Sequence, residues 1–173
     1  MKREIQLELV YKITKTILLI GFVIILVFLF WQKFAPAGEV VYGHDLSDQG
    51  KFIFGLYPVG RIIQSSEWQK IIGEPVYFDV YSPRKFKQAT VSLRYLNNTG
   101  LDAKFGLKLN VNDWSFYMIK MNGLPDKFVE QEFDFDLSSA ERKNNKIRFV
   151  VAVPGIEKTN SDLLIDNVRV KFK

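Results

Sequence analysis

Apolar residues are distributed along this chain in two different ways. From Thr16 to Gln32 no side chain is charged, and Ile17–Trp31 (ILLIGFVIILVFLFW) is apolar throughout, with Gly21 its one small residue. A continuous run of this length predicts a transmembrane helix over 16–34, since a bilayer core takes roughly 20 helical residues. Lys15 and Lys33 stand where ammonium groups reach the interfaces, and Trp31 falls at headgroup depth. Beyond a connector, 35–50, rich in Pro, Gly and small polar residues, the continuous pattern gives way to alternation. Gln88–Tyr95 places Ala89, Val91, Leu93 and Tyr95 on one face and Gln88, Thr90, Ser92 and Arg94 on the other, which predicts a half-buried strand.

Seven further segments behave in the same way: Phe52–Tyr57, Val76–Tyr81, Lys104–Val111, Trp114–Met121, Phe128–Leu137, Lys146–Val153 and Leu163–Phe172. Turn-forming residues separate them, among them Ser82-Pro83, Asn97–Gly100, Asn122-Gly123, Asn144-Asn145 and Pro154-Gly155. Ser139–Arg142 is expected to form a single helical turn. About eight strands at this spacing predict an all-β, antiparallel sandwich over 51–173. In the last segment Leu163 and Ile165 share a phase while Val168, Val170 and Phe172 take the opposite one, so a β-bulge is expected near Asp166 and Asn167.

The ending LLIDNVRVKF, preceded by KIRFVVAVPG, resembles the closing strands of galactose-binding-like and carbohydrate-binding jelly-roll modules. The upstream YFDVYSP and VSLRYLNNTG fit the same layout, so the resemblance covers roughly Val76–Lys173. It implies a jelly roll and a non-catalytic binding role. In that superfamily a calcium ion is often held partly by the aspartate of the closing strand, which corresponds to Asp166 and implies a structural calcium there.

Length and charge narrow the picture. The 173 residues suit one domain with an appendage, and 25% charged against 47% hydrophobic residues excludes a wholly disordered chain. Residues 1–15 hold Lys2, Arg3, Lys12 and Lys15 against Glu4 and Glu8, whereas Lys33 is the one cation on the other flank before Lys51. The positive-inside rule then places 1–15 in the cytoplasm and the body outside it, in a cell membrane. Ala35-Pro36-Ala37 forms an A-x-A pattern, so a cleaved signal peptide is the competing reading, although Trp31, Lys33 and Phe34 intervene. Residues 35–173 carry 19 basic and 17 acidic side chains, a near-neutral balance that speaks against nucleic acid. The absence of cysteine removes thiol and cysteine–zinc chemistry, and His44 is the single histidine. Its neighbour Asp45 offers an orienting carboxylate, but a solvated loop histidine is the simpler reading.

Two segments carry candidate chemistry. In Trp114–Met121, Trp114, Phe116, Tyr117 and Met118 put apolar groups on both faces, and aromatic platforms stack on sugar rings. Trp114 and Tyr117, flanked by Asn110, Asn112 and Asp113 as hydroxyl-binding groups, form the expected ligand-binding patch. In Phe128–Leu137, Glu130, Glu132, Asp134 and Asp136 share a face at about 6.6 Å spacing, near the separation used by glycosidases. A small glycosidase using Glu132 with Asp134 or Asp136 is the lesser alternative, and pairing of these carboxylates with Lys104, Lys108 or Lys120 is the plainer one. Asn97-Asn98-Thr99 is a glycosylation sequon that also reads as a turn. The function expected is a single-pass, membrane-anchored extracytoplasmic module that binds envelope or extracellular carbohydrate; the alternative is a structural or assembly subunit of a membrane complex.

Overall fold

The computed structural model describes residues 2–34, 38–45, 50–110, 114–159 and 161–173. It forms two units, Met1–Glu39 and Val40–Lys173. The first contains a helix, α1 (Lys2–Phe34), within which Tyr11–Phe30 has a mean hydropathy of 2.7 and is long and apolar enough to cross a membrane. None of that stretch is buried. A signal sequence meets the same length and composition test.

The second unit is a jelly-roll β-sandwich, in which the described residues form twelve strands. They are β1 (Val40–His44), β2 (Ile53–Tyr57), β3 (Ile62–Gln64), β4 (Gln69–Ile71), β5 (Val76–Tyr81) and β6 (Gln88–Asn97), followed by β7 (Lys104–Lys108), β8 (Phe116–Lys120), β9 (Val129–Asp136), β10 (Arg142–Lys143), β11 (Lys146–Ala152) and β12 (Leu163–Phe172). The first sheet has the order β3-β4-β12-β6-β9, with β1 also on β12; the second has β2-β5-β11-β7-β8, with β10 on β11. All pairings are antiparallel. All eight strands expected from alternation are present, with ends shifted by a few residues at most.

Three features depart from the sequence reading. Val40–His44 falls in the presumed connector yet pairs with Val168–Phe172, because its Tyr42 ring stacks on Phe52 at 4.7 Å and meets Phe172 edge-on at 6.1 Å. The short strands β3 and β4 complete the same sheet. Ser139–Arg142 makes no helix: Ala140 bridges Leu109, and Arg142 begins β10. The bulge is where alternation places it, since the β12–β6 register shifts between Ile165 and Asn167.

Strand alternation sends Phe78, Phe105 and Phe149 inward from the second sheet and Phe133 and Phe135 inward from the first. Phe105 lies at the centre of these rings, 4.9 Å from Phe133, 5.5 Å from Phe135, 5.7 Å from Phe149 and 5.9 Å from Phe78. Such offset and edge-on contacts add to the burial of aromatic area. Toward one end of the sandwich, fully buried Tyr95 donates its hydroxyl to the Asn122 carbonyl at 2.7 Å, with Gln131 Oε1 2.5 Å away. Gln131 in turn accepts from Asn122 N–H and donates to the Lys120 carbonyl, tying β9 to the end of β8.

Tyr95→Phe keeps the ring and removes the donor, leaving a carbonyl short of its partner, and is expected to cost about 1 kcal/mol and a few degrees of Tm in calorimetry. Burial pushes the Tyr95 phenol from 10.0 up to about 12. The folded state therefore retains this proton better than the unfolded chain, a contribution present below pH 10 and lost as pH climbs toward 12. The variant is expected to lose less stability than the natural chain over that interval.

Candidate functional site

The outward face of the second sheet has a composition unlike an ordinary solvated surface. Because Val76, Phe78 and Val80 point to the core, Tyr77, Asp79 and Tyr81 must point away from it, and register sets Tyr57 beside Tyr77 and Asp79 beside Arg148. Val150 also points away from the core, flanked by Tyr77 on one side and Gly106 on the other, and is nonetheless buried. Rings lie across this row. Tyr57 and Tyr77 have centroids 5.7 Å apart, Tyr77 and Phe116 6.4 Å, and Phe116 and Trp114 6.5 Å. The belt thus runs from β2 over β5 to β8 and ends on Trp114, which is 74% exposed. Gly106 is required beneath it: a Cβ there would strike the Met118 sulfur and the Tyr117 carbonyl.

Polar groups border the belt. Arg148 Nε donates to Asp79 Oδ1 at 2.9 Å, and the Tyr57 hydroxyl donates to the same oxygen at 2.9 Å. The guanidinium carbon lies 5.5 Å from the Tyr57 ring and 5.8 Å from Tyr77, in cation–π range. The Asp79 hydrogen bond raises the Arg148 pKa, while burial, helped by the Asp79 charge, pushes the Tyr57 phenol upward. Beyond this pair lies a cavity of about 220 Å³ lined by Asp79, Glu141, Lys143, Asn144, Lys146 and Arg148. The arrangement offers flat apolar area beside fixed donors and acceptors, which is what a site for a ring-shaped polar ligand requires.

The expected site residues are placed unevenly. Trp114 joins this belt through Phe116, but Tyr117 takes the opposite phase and meets the core ring of Phe135 edge-on at 6.2 Å. Asn112 and Asp113 lie outside the described residues, and Asn110 is an exposed position whose N–H donates to the Ser139 carbonyl. Asp166 is on the other sheet, at the bulge, with its Oδ2 3.3 Å from Arg94 Nη1 and its Oδ1 buried without a hydrogen-bond donor. Calcium takes six to eight oxygens, and the carboxylate here faces a guanidinium instead; among the described residues no group of three or more His, Asp or Glu is gathered as metal ligands.

The acidic strand pairs with β6 rather than with β7 or β8, so Lys104, Lys108 and Lys120 are not its partners. Lys104 and Lys120 both pair with Asp102, and Lys108 pairs with Glu141. Thr90 and Ser92 donate instead to Asp134 and Glu130, each at 2.6 Å. The Ser138 N–H holds the Asp136 carboxyl below its ordinary value, the opposite of what a general acid needs. His44 is not a solvated loop residue: its side chain is 8% exposed on β1, and Nε2 accepts the Gly50 N–H at 3.2 Å. Asn97 Oδ1 accepts from the Thr99 hydroxyl and N–H, so the sequon is a closed local turn. The residues that sequence reasoning passed over are Tyr57, Tyr77 and Arg148. A signal existed in VYFDVY, where Tyr77 and Tyr81 occupy the phase that an ordinary outer face fills with polar residues.

No protein-family model matches the sequence, and no curated protein matches it. Solved structures do resemble it. A variant of the family 29 carbohydrate-binding module CBM29-2 superposes with a TM-score of 0.50 at 13% identity, covering 78% of this chain and 92% of that one. The CBM22-1 xylan-binding domain from Paenibacillus barcinonensis gives 0.49 at 11% identity, covering 76% and 92%. At such identities the likeness is one of fold. The body shares their two-sheet, antiparallel jelly-roll fold.

Burial, with Glu130 adding to it and Arg94 opposing it, raises the Asp166 carboxyl above its ordinary 3.8. The ionised group therefore costs folding free energy at neutral pH, and the cost disappears as pH falls below 3.8. Asp166→Asn is expected to raise Tm by a few degrees at pH 7, with the gain vanishing below 3.8 and calcium shifting neither protein. A calcium-dependent rise in the natural chain that is absent from the variant would restore Asp166 as a metal ligand.

Proposed function

We propose that this protein is a non-catalytic carbohydrate-binding module held at a membrane by α1, with 1–15 cytoplasmic and the sandwich outside. The observation that carries the reading is the belt Tyr57–Tyr77–Phe116–Trp114 on the outer face of one sheet, ending in a tryptophan that is 74% exposed. A sugar ring presents axial C–H groups to such faces and hydroxyls to their borders. Here the bordering groups are the Asp79 carboxylate and the Arg148 guanidinium, held by each other and by the Tyr57 hydroxyl. The jelly-roll likeness supports the same class of function. The asymmetry of Lys2, Arg3, Lys12 and Lys15 against Lys33 supports the orientation.

Trp114→Ala removes an exposed ring, so folding should be unaffected. Binding to soluble polysaccharides, read as retardation in affinity electrophoresis against xylan, glucomannan, mixed-linkage glucan and galactomannan, is expected to weaken about tenfold for the ligand that binds, in keeping with about 1–1.5 kcal/mol per stacked ring. Tyr57→Ala should weaken it comparably, since it also releases Asp79. Unchanged retardation in both variants would remove the belt from the site. Retardation by no glycan, with co-purification of other membrane proteins in mild detergent, would assign Trp114 to a protein contact and the chain to an assembly role.

A further inference from the structure

The hairpin that joins β10 to β11 brings two lysines face to face. Lys143 and Lys146 are directly opposite partners, and Asn144 and Asn145 between them take φ of 52° and 57°, the left-handed pair of a two-residue turn that fixes register. The lysines therefore cannot slip apart, and like charges directly opposite on a sheet repel. Another such pair stands on the same face: Lys104 and Lys120 are also direct partners. There the chain supplies its own counter-ion, for Asp102 contacts Lys104 at 3.1 Å and Lys120 at 3.3 Å.

Nothing equivalent serves Lys143 and Lys146 among the described residues. The two carboxylates in the cavity they line are already engaged, Asp79 by Arg148 and Tyr57, and Glu141 by Lys108 at 2.5 Å. Lys146 rests over the Phe54 ring, 3.5 Å from its centroid, and Lys143 is exposed. The cavity thus holds three cations and two anions, both anions committed, and two of its lining residues, Asp79 and Arg148, contact Tyr57, where the aromatic belt begins. We infer that the Lys143–Lys146 pair receives a carboxylate of the ligand, so that the glycan recognised is a uronate-bearing, acidic polysaccharide whose ring lies along the Tyr57 end of the belt. This rests on the sugar-binding reading above and narrows it to a substrate class. Charge-assisted contacts of this kind are short and strong, and a bound anion offsets the like charges that the hairpin holds opposite each other.

The full chain, purified in a polyoxyethylene detergent whose head group carries no sugar, is to be titrated with polygalacturonate, alginate and hyaluronate, each against its neutral methyl ester. At least one acidic polymer is expected to bind about tenfold more tightly than its ester, and the difference should collapse at high salt. In Lys143→Gln/Lys146→Gln the acid and the ester are expected to bind alike. That double variant should melt close to the natural chain, because the lost repulsion offsets the lost contact of Lys146 with Phe54, and an unchanged melting temperature excludes misfolding as the cause of lost discrimination. Equal binding of every acid and its ester, or discrimination that survives the double variant, overturns the inference. If only neutral polysaccharides bind, the acidic class falls and the sugar-binding reading stands; if no glycan binds at all, both fall.

Discussion

Phe105 is the residue on which the rest of the sandwich depends. Its ring touches Phe78 and Phe149 from its own sheet and Phe133 and Phe135 from the opposite one, so it fixes the two sheets against each other at a single place. Side chains alternate along every strand, and a one-residue slip would exchange core and surface throughout. Once Phe78, Phe105 and Phe149 are inside, Tyr77, Asp79, Gly106 and Arg148 have no choice but to face outward. The composition of the outer surface is thus a consequence of the packing of the inner one.

The two outer faces carry very different material under the same rule. On the first sheet the rows read acid, hydroxyl or arginine, then base or amide: Asp134–Thr90–Lys171, Glu132–Ser92–Arg169 and Glu130–Arg94–Asn167. Each row offsets its own charge, and the hydroxyls of Thr90 and Ser92 occupy carboxylates on β9. That is a surface arranged for water. The second sheet instead lays rings across its strands and buries an outward-facing valine among them, with an arginine–aspartate pair and two lysines that have no carboxylate partner among the described residues at the border. A surface of this kind is poorly served by water and well served by a ring-shaped ligand, which is why the functional reading rests on it.

The helix, the eight long strands and the bulge at Asp166 were legible in the chain because each depends on neighbours in sequence: hydropathy over about twenty residues, alternation over five to ten, a phase change over two. The short strands were not. Val40–His44 and Ile62–Gln64 are strands because β12 and β4 offer them edges, and no local pattern announces an edge. The lysine partners expected for the acidic strand fell for a related reason. Strands that follow one another along the chain mostly lie in opposite sheets, β5 in the second, β6 in the first, β7 back in the second, so adjacency in sequence says little about adjacency in space.

The site shows the same division. Trp114 could be picked out from its own segment, but its companions could not, because a tyrosine in a strand looks alike whether it fills a core or paves a surface. Only the order β2-β5-β11-β7-β8, with Val150 and Gly106 between the rings, makes Tyr57, Tyr77 and Phe116 one belt, and only the β11 register sets Arg148 against Asp79. The sequence by itself determined the elements and which residues share a face, since both follow from backbone periodicity. Tertiary structure alone decided which faces adjoin, because that is settled by long-range packing of rings that carry no local signature.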